Sequence, residues 1–154
     1  MRPDYDPVAQ MVPEDEVDLD NDQVYWRAGA RLDGVLGERL GNGNFEYLTY
    51  RDGIQDGPAG ELTPDGDFVY EEWYRGNFRY GITRWFRPDG TIRRAACYEY
   101  SVEVWSVEFA EDGRRSTTFR DLSDADRRVI EIFRRDAPLP PIPGPEAAGD
   151  LAVH

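Results

Sequence analysis

Two consecutive stretches decide the fold. Residues 51–74 read RDGIQDGPAGELTPDGDFVYEEWY, and residues 75–98 read RGNFRYGITRWFRPDGTIRRAACY. Aligned without a gap, they place Gly57 over Gly81, Gly66 over Gly90 and Tyr74 over Tyr98. The register continues outward. Trp26 and Tyr50 precede Tyr74 at the same step of 24, and Gly34 precedes Gly57 by 23. Gly43, Gly66, Gly90 and Gly113 are spaced 23, 24 and 23. A fixed period in this range marks a repeat architecture. A degenerate unit occupies residues 27–50, and a broken one follows Tyr98.

Each unit reads as a hairpin. Its turns are TPDG at 63–66, RPDG at 87–90 and AEDG at 110–113, with Gly41-Asn42-Gly43-Asn44 in the first unit. Asp-Gly between apolar stretches is a hairpin signal because glycine accepts the positive φ of such turns. Gly66, Gly90 and Gly113 are therefore assigned as structural turn residues. The flanks FEYLTY (45–50), DFVYEEWY (67–74) and ITRWF (82–86) are aromatic and β-branched, which suits strands. Gly34, Gly57 and Gly81 open the units, where a bulge or tight bend leads into the next hairpin. The fold class that follows is mainly β, a twisted antiparallel meander of hairpin repeats.

The stretch 91–110 changes parity. Ile92, Ala96, Tyr98, Tyr100, Val102 and Val104 alternate with polar residues, then Trp105, Val107 and Phe109 take the opposite phase. A one-residue change of parity flips the faces, so a bulge or bend is predicted near Ser101–Trp105. Cys97 falls on the polar phase and is expected to be partly exposed. Beyond the sheet, SDADRRVIEIFRRD predicts one helix that closes the open edge of the repeat. Ser123 is its N-cap, Asp124 and Asp126 suit its positive end, and Pro138 stops it. Leu122, Ala125, Val129 and Phe133 form its expected apolar face, flanked by Ile130 and Ile132.

Composition bounds the function. The chain has 154 residues and a formal net charge of −13. All 18 basic residues are arginine. Bulk charge of this sign disfavours nucleic acid and anionic membranes and favours a basic protein partner. One cysteine excludes a disulfide framework. One histidine, His154, leaves no triad or histidine-based metal cluster. No cofactor motif is present, and the chain is expected not to be an enzyme. No apolar run approaches a membrane span, and no charged-then-apolar leader opens the chain, so a cytoplasmic location is expected.

The charge is uneven. Residues 1–24 hold eight acids and one arginine. Such a leader has few apolar anchors to offset its ordering entropy. The prolines of 138–145 rule out helix and central strand. The resulting division is an acidic, partly disordered leader over 1–23, a β-hairpin repeat domain over 24–121, a helix over 122–137 and a proline-rich tail over 138–154. Residues 1–15 and 140–154 are expected to be dispensable for folding.

Several motifs carry a resemblance. They are Tyr50-Arg51-Asp52-Gly53, Asp56-Gly57-Pro58, Pro64-Asp65-Gly66, Glu72-Trp73-Tyr74, Arg84-Trp85-Phe86 and Asp89-Gly90. Over residues 24–113 the chain resembles the MORN-repeat variant family, and within it the bacterial antitoxins of the YwqK type. The first unit departs from the pattern by lacking the Asp-Gly turn, and the unit after Tyr98 lacks its opening glycine. The resemblance implies a sheet of stacked hairpins and a non-catalytic binding protein that neutralises a toxin domain. A scaffold or adaptor built on the same sheet is the alternative. An acidic surface independently suits a basic toxin domain and would speed encounter. Tyr50, Tyr74 and Tyr98 are assigned to the repeat core. Trp73 and Trp85, next to core positions, are the candidate contact aromatics. Glu71 and Glu72 are the candidate acidic contacts.

Overall fold

The computed structural model describes residues 1–154. The main sheet has nine strands. They are β4 (Gly34–Arg39), β5 (Phe45–Arg51), β6 (Ile54–Leu62), β7 (Phe68–Arg75), β8 (Phe78–Arg79), β9 (Gly81–Phe86), β10 (Ile92–Glu99), β11 (Val102–Phe109) and β12 (Arg115–Phe119). Their spatial order is the chain order from β12 back to β4, with β8 paired beside β7. Every pairing is antiparallel. The fold is thus an antiparallel meander, as the hairpin period dictates. Three short strands, β1 (Val17–Leu19), β2 (Tyr25–Arg27) and β3 (Ala30–Arg31), form a second small sheet before it.

The turns alternate in chemistry. Gly43, Gly66, Gly90 and Gly113 close one end of the sheet at φ of 87°, 86°, 83° and 82°. The other end is closed by Asp52-Gly53, Gly76-Asn77 and Tyr100-Ser101, all at positive φ. The Tyr100-Ser101 turn, at 47° and 67°, divides the stretch 91–110 into β10 and β11. The predicted bulge within Ser101–Trp105 is present as well: Cys97 faces Trp105 and Tyr98 faces Glu103, so Val104 is the extra residue that shifts the parity of β11. No glycine or asparagine announces the turn. Tyr100 is held there by packing against Phe78, Tyr80 and Phe133.

Both chain ends belong to the core, which corrects the expectation of a leader and tail that could be removed. In the leader Val12 is buried, and Gln10 and Val12 pair with Val35 at the edge of β4. Tyr5 hydrogen-bonds Tyr47 at 2.6 Å. In the tail Ala148 is fully buried among Ile82, Ala95, Cys97, Trp105 and Val107. A few well-placed anchors suffice here because the sheet offers an apolar face with nothing else to cover it. Cys97 lies on that face and is fully buried, not partly exposed. Both phases of β10 carry apolar residues, and the tail decides which phase is covered.

The helix, α1 (Asp124–Asp136), starts at Ser123 with a reciprocal capping box to Asp126. Its inward side is rotated from the expected one. Ile130 is buried and Phe133 packs on Phe78 and Tyr100, whereas Val129 and Ile132 are exposed. Arg134 pairs with the buried Glu99 at 2.6 Å. All five residues of β12 are exposed, so the outer edge of that strand stays open.

Candidate functional site

Strand alternation separates the sheet into two faces. One face carries Tyr47, Leu62, Glu71, Trp73, Ile82, Arg84, Cys97 and Val107, and the chain ends cover it. The other face is open except at its β4–β5 end, where Val17 and Tyr25 of the small sheet pack with Leu36, Leu48 and Tyr50. Its register gives one continuous row across eight strands: Glu38, Glu46, Glu61, Tyr70, Trp85, Arg94, Glu108 and Ser116. Tyr74, Glu72, Arg79 and Tyr98 lie beside it on the same face.

The two halves of this open face differ in electrostatics. In the half built from β7 to β12, charges are paired. Arg94 contacts Glu103 and Glu108, each at 3.0 Å, and stacks 4.8 Å over Trp85. Arg79 pairs with Glu72 at 2.7 Å and stacks 4.8 Å over Tyr98. In the half built from β4 to β6, Glu38 stands directly opposite Glu46, and Glu46 directly opposite Glu61. Like charges facing across a ladder are destabilising. Glu46 accepts a hydrogen bond from Tyr70 at 3.1 Å and Glu61 accepts one from Asn44 at 2.6 Å, but neither meets an arginine.

Beside this acidic half is a groove of about 390 Å³. Its floor is apolar (Tyr25, Leu36, Leu48 and Tyr50), and β1 forms one wall through Val17 and Leu19. Glu14, Glu38 and Glu46 line it with carboxylates. Tyr25 and Tyr50 pack at 4.6 Å between ring centres.

The predicted contact residues divide between the faces. Trp85 is on the open face, half-buried under Arg94. Trp73 is on the covered face, where its ring stacks on His154 at 3.9 Å. Glu71 and Glu72 are not a solvated acidic pair, since they are 4 % and 6 % exposed. Glu71 points to the covered face and accepts a hydrogen bond from Tyr5 at 3.1 Å. Glu72 points to the open face but is held by Arg79 and Tyr74. Burial raises both carboxyls above the usual range, with Tyr5 and Arg84 opposing the shift at Glu71 and Arg79 opposing it at Glu72. Adjacent strand residues point to opposite faces, so a Glu-Glu pair in β7 could not form one acidic patch. Of the three repeat tyrosines, only Tyr50 is buried; Tyr74 and Tyr98 are half-buried on the open face.

Sequence reasoning missed the Glu38–Glu46–Glu61 row because it is a product of register, not of local sequence. It also missed the groove, which needs the leader folded onto β4 and β5. Cys97 has its thiol pushed up to about 12 by burial, which leaves it unreactive as a nucleophile. No helix is long and apolar enough to cross a membrane. No protein-family model matches the chain, and no curated protein matches it in sequence.

Proposed function

We propose that this chain is a non-catalytic binding protein that engages a basic protein partner through the open face of its sheet. The observation that carries the reading is the unneutralised row Glu38, Glu46 and Glu61, continued by Tyr70 and Trp85. A sheet does not gain stability from facing carboxylates. A partner's cations would relieve the repulsion and make the row favourable only in the complex. The aromatic half of the row supplies large side chains of the kind that dominate binding energy. The net charge of −13 adds long-range attraction, which raises the rate of encounter with a basic surface.

The concrete form of this reading is an antitoxin or immunity protein of a bacterial cytoplasm that blocks a cognate toxin domain by stoichiometric binding. Its support is the hairpin period and motif resemblance together with the acidic open face. The covered-face polar cluster of Tyr5, Tyr47, Glu71 and Arg84 does not argue for catalysis. It lies under the chain ends, where Tyr5 hydrogen-bonds Tyr47 and Glu71, and Arg84 binds backbone carbonyls of the tail.

Co-expression with the product of the adjacent gene tests the antitoxin reading. The expected result is relief of that product's growth defect and recovery of a one-to-one complex. An adjacent product that is harmless alone, or equally harmful with this chain present, overturns the antitoxin reading. Binding of that product without any effect on growth would instead favour an adaptor.

A further inference from the structure

We infer that the groove between β1 and β4–β5 seats an arginine or lysine carried on an extended segment of the partner, which adds as a strand to the free edge of β4. The inference rests on the proposed binding function and names the chemistry that the site would take.

Three observations converge. The first is charge. Glu14, Glu38 and Glu46 line the groove, and none of them forms an ion pair with an arginine of this chain. At the far end of the same row Arg94 is paired to Glu108, so the fold does balance charge where it has the cations to do so. The second is shape. A floor of Tyr25, Leu36, Leu48 and Tyr50 under a carboxylate rim matches a side chain with an apolar stem and a cationic head. The volume of about 390 Å³ holds such a side chain with its neighbours.

The third observation is backbone. β4 is the last strand of the sheet. Its outer edge is occupied only at Val35, whose amide donates to the Gln10 carbonyl at 3.3 Å and whose carbonyl accepts from the Val12 amide at 2.9 Å. The pairing there is parallel. In an antiparallel ladder, alternate residues direct both backbone groups outward, so Gly37 and Arg39 present theirs on the same edge as Val35. An extended segment laid along Gly37–Arg39 would continue the pairing that the leader begins. Strand addition supplies affinity through the main chain and selectivity through alternate side chains. Here the alternate side chain meets Glu38 and Glu46.

The test uses the full chain, isotopically labelled, and the acetylated and amidated pentapeptide Val-Arg-Val-Arg-Val, with Val-Glu-Val-Glu-Val as control. Amide shifts are expected at Leu36, Gly37, Arg39, Glu46 and Leu48 with the arginine peptide and not with the control. Glu38→Gln together with Glu46→Gln should weaken the peptide at least about fivefold while leaving the melting temperature equal or higher, because the variant removes like-charge repulsion. Shifts spread evenly over the open face, no shifts at all, or undiminished affinity in the double variant would each overturn the groove. The outcome separates from that of the antitoxin reading. Neutralisation of the toxin that survives both substitutions, with no peptide binding, defeats the groove alone. Groove binding with no protection from the adjacent gene product defeats the antitoxin reading alone.

Discussion

The guanidinium of Arg84, fully buried in β9, donates from Nε to the carbonyl of Ala148 in the tail at 3.0 Å. Its Nη2 reaches three further carbonyls, those of Ala147, Asp150 and Val153, at 3.3, 2.5 and 2.7 Å. One side chain therefore gathers four carbonyls of a segment that has no strand to pair with. Buried carbonyls need donors, and the segment's own amides reach only two of these four, Ala147 and Asp150. Glu71 provides the nearby negative charge that offsets the buried cation, whose own pKa burial lowers.

Replacing Arg84 with Met keeps the apolar stem and removes the Nε and Nη2 donors. The Ala148 and Val153 carbonyls then lose their partners, whereas those of Ala147 and Asp150 keep the amides of Asp150 and Val153; the cost should be on the order of 3 kcal/mol. Urea denaturation measures it, and amide exchange locates it: Asp150 and Val153 should lose protection before the strands do. An unchanged midpoint would mean that the tail is held by Ala148 and its apolar neighbours alone.

The acidity of Glu71 gives a pH dependence with a definite sign. Burial raises its carboxyl above the ordinary value of 4.5, with the Tyr5 hydrogen bond and the Arg84 charge as smaller opposing effects. The unfolded chain therefore releases this proton first. The group's contribution to stability is fully present below about 4.5 and is lost as pH rises through the raised folded value. Glu71→Gln keeps an acceptor for Tyr5 but carries no charge. The variant should melt with the wild type near pH 4 and above it near pH 8. A variant that melts lower at both pH values would show that the Arg84 charge outweighs burial.

The hairpin period was legible because its signals are local: Asp-Gly turns, aromatic flanks and a constant spacing between Gly66, Gly90 and Gly113. The N-cap at Ser123 was legible for the same reason. The Tyr100-Ser101 turn was not, since packing rather than backbone preference places those residues at positive φ. The roles of the two ends were hidden by composition. Tyr5, Val12 and Ala148 are isolated anchors among acids and prolines, and they act only against a face assembled from distant strands. At the candidate site, Trp85 could be proposed from β9 alone. The facing carboxylates could not, because Glu38, Glu46 and Glu61 meet only through the registers of β4 with β5 and of β5 with β6.

Two glycines of β6 and its turn should respond differently to alanine. Gly66 has φ of 86° with open space where a side chain would go, so Gly66→Ala costs only backbone strain, about 1 kcal/mol. At Gly60 a Cβ would lie 2.3 Å from the Tyr70 carbonyl oxygen. β6 and β7 would have to part there, and Gly60→Ala should cost about 3 kcal/mol. Thermal melting of the two variants orders them. The reverse order would mean that the turn, not the close approach of β6 to β7, limits stability.

The two tryptophans offer the sharpest division between binding and folding. Trp85 lies on the open face between Tyr70 and Arg94 in the cross-sheet row. Its ring is half-buried by Arg94, so alanine there removes exposed contact area and frees the guanidinium while the covered core stays intact. Trp73 sits on the covered face of β7, two residues beyond Glu71, with its ring against His154, where a partner on the open face cannot reach it. Trp85→Ala should therefore speed dissociation of the cognate partner by an amount equivalent to about 2 kcal/mol or more, with little change in melting temperature. Trp73→Ala should lower the melting temperature and leave the dissociation rate of the folded protein unchanged. Surface plasmon resonance on both variants, run beside thermal melting, separates the two. Raised salt should slow association for the wild type and for Trp85→Ala alike, because long-range attraction depends on the acids and not on the ring. If Trp73→Ala, and not Trp85→Ala, accelerated dissociation, the partner would bind the covered face after displacing the tail, and the open face would lose its assignment.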